Sequence, residues 1–393
     1  MIADQTRLLI KLLWLFIFLS FNSSAYSEKL NKKVERVRVS ILSTSPGSEL
    51  YTLFGHAAIR IVDSSQLLDE VYGYGGFDFS TPNFYPEFVR GTLLYTITQE
   101  PYAMFREEFL SEPYQMAEQV LNLSPEQSSK IYQLLQENSL PKNRLYRYDF
   151  FYDNCSTRIR DILCKALPNL VLFSKQVNSH SPSYRDLLKP YLYDSPWVLL
   201  GTDLILGTPA DKRSSPFGQT FLPFSLRTYL DQAKLADNTL LVRFSHLLIN
   251  PKIEPKERSS ITPIGVFWLV FLLSLLSFMN KRSERVFSSL VFVLYSLLGV
   301  LILFLWFGTE RTSFGLNYNL FWASPLLITF LSPNLEAKKY IGLTSLALLG
   351  ALFIIISLKV QIFNPAVLPL ILILVPHLLR KTGALDSPIK KSQ

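Results

Sequence analysis

Two hydrophobic patterns divide the chain. Up to about residue 250 apolar positions recur with the short periods of strands and helices; beyond residue 260 they merge into long runs. In the first region Val34 to Ile41 alternates and predicts a strand. His56 to Val62 alternates again, with Ala57, Ile59 and Ile61 on one face and His56, Ala58 and Arg60 on the other. Val71 to Tyr74 is a shorter strand leading into a tight bend at Gly75-Gly76. Gly91 to Gln99 and Tyr114 to Leu123 are further strands, with a short helix over Tyr102 to Leu110 between them. Ser124-Pro125-Glu126-Gln127 starts a helix, with Ser as cap, Pro at the first position and Gln closing a capping box; the Ile131, Leu134, Leu135 stripe carries it to about Asn138. Val198 to Leu206 fits a strand or a helix, Pro209 to Pro216 a polar loop, and Ser225 to Ala236 a helix. Strands before and after helices, without strict βαβ alternation, give an α+β class.

The later runs, at about 261–279, 286–308, 316–332, 340–358 and 361–379, have the length and composition of membrane spans. Alternate connections carry nine Lys/Arg (three in Asn280–Arg285, two in Ser332–Lys339, four from Arg380 onward) against two, Arg311 and Lys359. The side richer in Lys/Arg faces the cytoplasm, so the region before the first span faces outward. Residues 1–25 agree: Arg7 and Lys11 precede the apolar run Leu12 to Leu19, and Ser23-Ser24-Ala25 supplies small residues for cleavage, the pattern of a secretory signal. No Cys follows that run, so the chain is not expected to be a lipoprotein itself. The expected organisation is a signal over 1–25, a soluble domain over 28–250, a Pro-rich linker over 251–263, five membrane helices over 264–380 and a cytoplasmic tail over 381–393.

Net charge is +8 overall, but residues 28–257 hold 25 Lys+Arg and 26 Asp+Glu, a net of −1. That balance gives no support for nucleic-acid binding. Metal and serine chemistry are also poorly served: the chain has no His-Glu-x-x-His, Cys-x-x-Cys or Gly-x-Ser-x-Gly, and no glycine-rich phosphate loop. No metal or cofactor is expected.

The strongest chemical signal is Tyr148-Asp149-Phe150-Phe151-Tyr152-Asp153-Asn154-Cys155-Ser156-Thr157-Arg158. An aromatic, strand-like run ends at Asp153-Asn154, either of which suits a helix cap. The stripe Ile159, Ile162, Leu163, Ala166, Leu167 then predicts a helix with Cys155 in its first turn. Unpaired N–H groups and the helix dipole there favour a thiolate. The other cysteine, Cys164, lies nine residues on. Along a helix that is ~13 Å, beyond disulfide reach, so Cys164 reads as a small buried hydrophobe. Of four histidines, His180 lies in a Ser/Pro loop, His246 near the linker and His377 at a cytoplasmic membrane edge. His56 remains as base for a Cys155 nucleophile.

The combination of Gly55-His56-Ala57-Ala58-Ile59-Arg60, Tyr72-Gly73-Tyr74-Gly75, Phe77-Asp78-Phe79, Asn83-Phe84, Phe88-Val89-x-Gly91 and Asn154-Cys155-Ser156-Thr157-Arg158 resembles the Lnb N-terminal periplasmic domain family, closely over residues 35–165. The resemblance implies a permuted papain-like (NlpC/P60-like) thiol fold, with His before Cys. It further implies a lipoprotein N-acyltransferase of the bacterial inner membrane, taking an acyl chain from a membrane phospholipid and giving it to the N-terminal amine of a lipid-modified lipoprotein. Carried over to this sequence, Cys155 matches the nucleophile and His56 the base. Asp78, with Asn83 as alternative, is the expected orienting group. Asn154 or Asp153 would cap the helix or hold the oxyanion, and Arg60 and Arg158 complete the motif. Two other classes fit the same residues: a membrane-anchored cysteine hydrolase (amidase, peptidase or phospholipase) and a non-enzymatic membrane assembly factor.

Overall fold

The computed structural model describes residues 37–382, apart from 48, 50, 51, 111–113, 169, 171–175 and 252–259. The expected signal and most of the linker and tail lie outside the described residues.

Three strands open the domain as an antiparallel meander: β1 (Val37–Thr44), β2 (His56–Asp63) and β3 (Leu68–Gly76). Helix α1 (Phe84–Arg90) precedes β4 (Leu94–Pro101), and α2 (Tyr102–Glu108) precedes β5 (Met116–Leu121). Then follow α3 (Pro125–Ser139), the short β6 (Leu145–Arg147) and α4 (Cys155–Ala166). Helices α5 (Tyr184–Leu192), α6 (Pro196–Ile205), α7 (Pro216–Gln219) and α8 (Pro223–Leu230) lead to β7 (Val242–Ile249). The sheet runs β6-β4-β3-β2-β1-β5-β7, and its neighbours pair antiparallel.

Alternation along β2 decides what each face buries. Ala57, Ile59 and Ile61 join Ile41 and Tyr72 under Ile131 and Leu135 of α3, Ile159 and Leu163 of α4, and Leu226 and Leu230 of α8. Ala58 turns the other way with Leu42, Val71 and Met116, covered by Phe105 of α2. The capping box at α3 forms as its sequence predicts: Ser124 Oγ accepts from Gln127 N, and Gln127 Oε1 accepts from Ser124 N.

Several elements differ from the pattern reading. The stretch expected as a strand from Gly91 begins at Leu94, because Gly91 ends α1 in a left-handed conformation (φ 74°). The aromatic run before Cys155 is a turn, not a strand. Asp149 and Asp153 exchange backbone hydrogen bonds, and Asp149 Oδ1 accepts from the N–H groups of Phe151 and Tyr152. Val198 to Leu206 is resolved as helix α6, started by Pro196, and the helix expected to reach Ala236 stops at Leu230. The Pro209 to Pro216 loop holds a 3-10 turn over Thr208–Asp211.

The membrane region contains α9 (Pro263–Ser277), α10 (Lys281–Phe307), α11 (Leu335–Ser357) and α12 (Val367–Lys381). Of these, α10 and α11 are long and apolar enough to cross a membrane by length and composition. The third apolar run corrects the expectation of five α-helices: it is two 3-10 stretches, Tyr318–Phe321 and Pro325–Leu331. Asn317 Oδ1 bends the chain by accepting from Asn319 N, and Pro325 supplies no N–H to carry a helix through. The run still traverses the bundle. Trp322 meets Tyr295 and Phe330 stacks on Phe292, so it descends antiparallel to α10.

At the near end the two regions are locked together. Asn317 and Asn319 donate to Leu204 O, Asn364 donates to Asp203, Glu310 pairs with Arg147, and Trp197 Nε1 donates to Ile261 O. At the far end buried His377 is stacked on Phe278 and Phe287 and bonds Ser274 Oγ at 3.0 Å, while Glu284 meets Lys381. This ties α9, α10 and α12 together and keeps His377 remote from the sheet.

Candidate active site

The Asn-Cys-Ser-Thr-Arg motif divides into one reactive group and a frame. Asn154 caps α4: its Oδ1 accepts from Ser156 N (2.9 Å) and Thr157 N (3.0 Å). Its Nδ2 donates to Phe150 O and Phe221 O, both at 2.8 Å. Thr157 Oγ1 returns the cap by accepting from Asn154 N at 2.7 Å. Arg158 holds Asp153 with two hydrogen bonds (2.6 and 2.8 Å) and lies 3.5 Å over the Tyr146 ring. Asp153 is therefore a turn residue locked to Arg158, and Asn154 is the cap. With all its polar atoms engaged, the Asn154 side chain is not available to an oxyanion. The Cys155 N–H, at the first helical position, has no intrahelical acceptor and is the donor that remains there.

Cys155 is 7% exposed, and both cysteines are free thiols, with Cys164 only partly buried. Burial pushes the Cys155 thiol up, but the neighbouring His56 charge, a hydrogen bond from His56, the Ala57 N–H and the Ser156 hydroxyl outweigh it. The net shift is downward from the usual value. For His56 burial alone would favour the neutral ring. The Cys155 charge and hydrogen bond, then the charges of Glu108 and Glu100, reverse this and raise its pKa. The pair expected from sequence, 99 positions apart in the chain, is thus brought together, each group favouring the charged form of the other.

Position along β2 explains how His56 gets there. It is the first residue of the strand, its N–H donates to Thr44 Oγ1 at 3.0 Å, and Gly55 before it takes φ 76°. The ring extends across β3 at Gly73: a Cβ there would stand 3.5 Å from His56 Nε2 and 2.9 Å from Thr98 Oγ1. Gly73 pairs with Thr98 on β4, and Glu100 lies two residues on, on the same face.

The expected orienting residues are elsewhere. Asp78 is exposed and folds onto Ser80, accepting from its N–H (2.8 Å) and its hydroxyl (2.7 Å). Asn83 is exposed at the start of α1 with φ 57°. Neither is among the groups acting on the His56 ring, whereas Glu100 and Glu108 are. Arg60 is a frame residue on the α2-covered face: it grips Asp69 bidentately (2.7 and 2.6 Å), reaches Glu118 and lies 3.4 Å over the Tyr102 ring. Glu100 was hidden in the sequence because its proximity depends on β4 pairing with β3. The readable signal was alternation, which puts Thr96, Thr98 and Glu100 opposite Tyr95 and Ile97. Of the other histidines, His180 is exposed beside Ser179 and His246 lies on β7 near Glu118. Among the described residues no cluster of three or more His, Cys, Asp or Glu side chains is arranged to hold a metal ion.

The site faces the membrane region through Tyr148. This part-buried ring lies 3.6 Å from a Cβ position on Gly75, stacks on Tyr95 at 4.7 Å and feels the charges of both Cys155 and Arg311. Arg311 belongs to the connection after α10.

Residues 26–190 match the Lnb N-terminal periplasmic domain, and residues 255–382 match the Lnb transmembrane domain. No curated protein and no solved structure matches the chain. Matched in both its sheet domain and its helical region, the chain belongs to the Lnb family and is a membrane protein with a periplasmic N-terminal domain.

Proposed function

We propose that this protein is a lipoprotein N-acyltransferase of the bacterial inner membrane, with Cys155 as nucleophile and His56 as proton carrier. The observation that carries the reading is the pairing of buried Cys155, at a helix start, with part-buried His56, the thiol pKa lowered and the imidazole pKa raised. Cys on a capped helix against His at the start of a strand is also the arrangement a permuted papain-like fold requires. Family membership supports a role in lipoprotein N-acylation.

The thiolate attacks the ester carbonyl of a phospholipid, with the Cys155 N–H facing the developing oxyanion. The C–O bond to the glycerol breaks, and His56 gives its proton to the departing alkoxide, leaving an acyl thioester on Cys155 and a lysophospholipid. The N-terminal amine of the acceptor lipoprotein then attacks the thioester carbonyl. His56 takes the amine proton, the C–S bond breaks, the amide product leaves and the thiolate is restored. Glu100 is a positioning residue that favours the charged ring. Both substrates are membrane-anchored, which suits a site close to the outer end of the helices. The nine-to-two Lys/Arg asymmetry supports a cytoplasmic C-terminus.

The test is mass spectrometry of lipoprotein N-termini from cells with wild-type protein, Cys155→Ala or no protein. N-acylated termini in the first alone are expected. Free fatty acid or cleaved peptide in place of the N-acyl product would make the protein a hydrolase. Unchanged N-acylation with Cys155→Ala would remove the thiol mechanism.

A further inference from the structure

Arg311 is a cation with neutral partners. Its Nη2 donates to Phe88 O at 3.3 Å, its charge acts on the Tyr95 hydroxyl, and its charged carbon lies 5.7 Å from the Phe88 ring. Among the described residues no carboxylate lies within ion-pair distance of it. The adjacent Glu310 is held by Arg147, and Glu310 N donates to Arg90 O. Gly91 makes room for the arginine stem: a Cβ there would stand 3.0 Å from Arg311 Cγ. Arg311 follows the end of α10 at Phe307 by four residues, the height at which lipid phosphates lie when α10 spans a bilayer. Beside it the sheet domain presents an apolar edge, with Phe79 69%, Tyr85 72%, Phe88 43% and Val89 44% exposed. From that edge rings lead inward, Phe79 to Phe77 (5.0 Å), Phe77 to Tyr95 (5.7 Å) and Tyr95 to Tyr148, next to the thiol.

We propose that Arg311 and this edge form a binding site for one glycerophospholipid, with the phosphodiester on the guanidinium and the hydrocarbon against Phe79, Phe88 and Val89. An unneutralised guanidinium complements a phosphate anion, and the adjoining exposed rings complement an acyl chain. The inference rests on the acyl-transfer reading and gives the phospholipid donor of that reading its place on the chain, one that selects a phosphate-bearing lipid over a neutral glyceride.

Binding is measured without turnover, using full-length Cys155→Ala protein in detergent. Native mass spectrometry follows retention of phosphatidylglycerol, phosphatidylethanolamine and diacylglycerol. The proposal expects both phospholipids to be retained over diacylglycerol, and Arg311→Gln to lose about tenfold of that preference. Arg311→Lys should keep part of it. Val89→Asp, which leaves Arg311 in place, should weaken phospholipid retention through repulsion and lost apolar contact. Iodoacetamide labelling of Cys155, in the same variants with the cysteine restored, should keep its wild-type rate and so report an intact site. Equal retention of all three lipids by the starting protein, or an unchanged preference in Arg311→Gln, overturns the proposal. Displacement of the lipids by millimolar inorganic phosphate or glycerol phosphate would make this a free-phosphate site and overturn the lipid assignment. Transfer from phospholipid to a lipoprotein acceptor is assayed separately with wild-type protein. Its absence alongside Arg311-dependent retention would sink the acyltransferase reading and leave the lipid site standing.

Discussion

The ring of His56 lies over Gly73, on the strand next to its own, where the absence of a Cβ leaves it space. An added Cβ would meet Thr98 Oγ1 at 2.9 Å before reaching His56 Nε2 at 3.5 Å. Gly73→Ala is therefore expected to push mainly on Thr98 and to lower Cys155 reactivity only modestly. Gly73→Val carries its methyls into the ring's place and should cut acyl transfer by about tenfold or more through misplacement of the base. Thr98→Ala added to Gly73→Ala should restore the wild-type rate. Iodoacetamide labelling of Cys155 and product formation measure both effects; wild-type behaviour of Gly73→Val would show that the ring does not need this position.

The charged pair sets a pH profile. Cys155 is lowered from 9.0, so its contribution to stability is complete above 9.0 and is lost as pH falls through the lowered value. His56 is raised from 6.5, so its contribution is complete below 6.5 and is lost as pH rises through the raised value. Alkylation of Cys155 should therefore persist well below the ordinary thiol range and collapse only on the acid side. In His56→Gln burial is no longer opposed by the imidazolium, and the midpoint should move upward. A wild-type alkylation midpoint at or above 9 would contradict the pair.

Asn154 offers a way to separate frame from chemistry. Asn154→Ala removes both cap bonds, worth roughly 1–2 kcal/mol, and with them the two donor bonds to Phe150 O and Phe221 O. Asn154→Asp keeps the acceptor for Ser156 and Thr157 but removes the donor to Phe150 O and Phe221 O. Each carbonyl left unsatisfied costs about 1–3 kcal/mol, and the buried carboxylate adds to this. The carbonyl cost is common to both variants; Asp keeps the cap but sets a buried negative charge against the two carbonyl oxygens, so we expect Asn154→Asp to melt no higher than Asn154→Ala, although aspartate is a good cap in an exposed helix. Thermal denaturation of the purified protein decides; full stability with Asp would mean that the two carbonyl bonds contribute little.

What the sequence made legible was local. The Ser124 and Asn154 caps are each settled within four residues, so both helix starts were readable. The Cys155–His56 pair was legible because few histidines compete and the motif resembles a family. Strand β7 was not, since Arg243 to Leu247 are exposed and show no burial period; only the open edge of β5 recruits them. The third apolar run was misread for another reason. Hydropathy measures apolar length and does not register that Asn317, Asn319 and Pro325 break the α-helical ladder.

The same limit displaced the orienting carboxylate. Asp78 looked suitable because it closely follows the bend at Gly75-Gly76, but an exposed Asp with a Ser two residues on folds into its own turn, as Asp78 does on Ser80. The charge of Glu100 is brought to act on the His56 ring by pairing of strands distant in sequence. It is part-buried, and burial, Glu108 and then His56 act on it, the first two raising its pKa and the last opposing them. Asp78→Ala should therefore keep wild-type turnover. Glu100→Gln removes a negative charge that favours imidazolium, so the His56 pKa should fall and the alkaline limb of the rate profile should move to lower pH. The loss of turnover should be smaller than the ~10⁴ seen on losing a triad aspartate beside a serine, because a thiol ionises more readily. Glu108, exposed on α2, keeps part of the field when Glu100 is neutralised, so the double variant should shift the limb further. NMR titration of the His56 ring in the three variants reads the shift directly. A fall in His56 pKa with Asp78→Ala and none with Glu100→Gln would return the orienting role to Asp78.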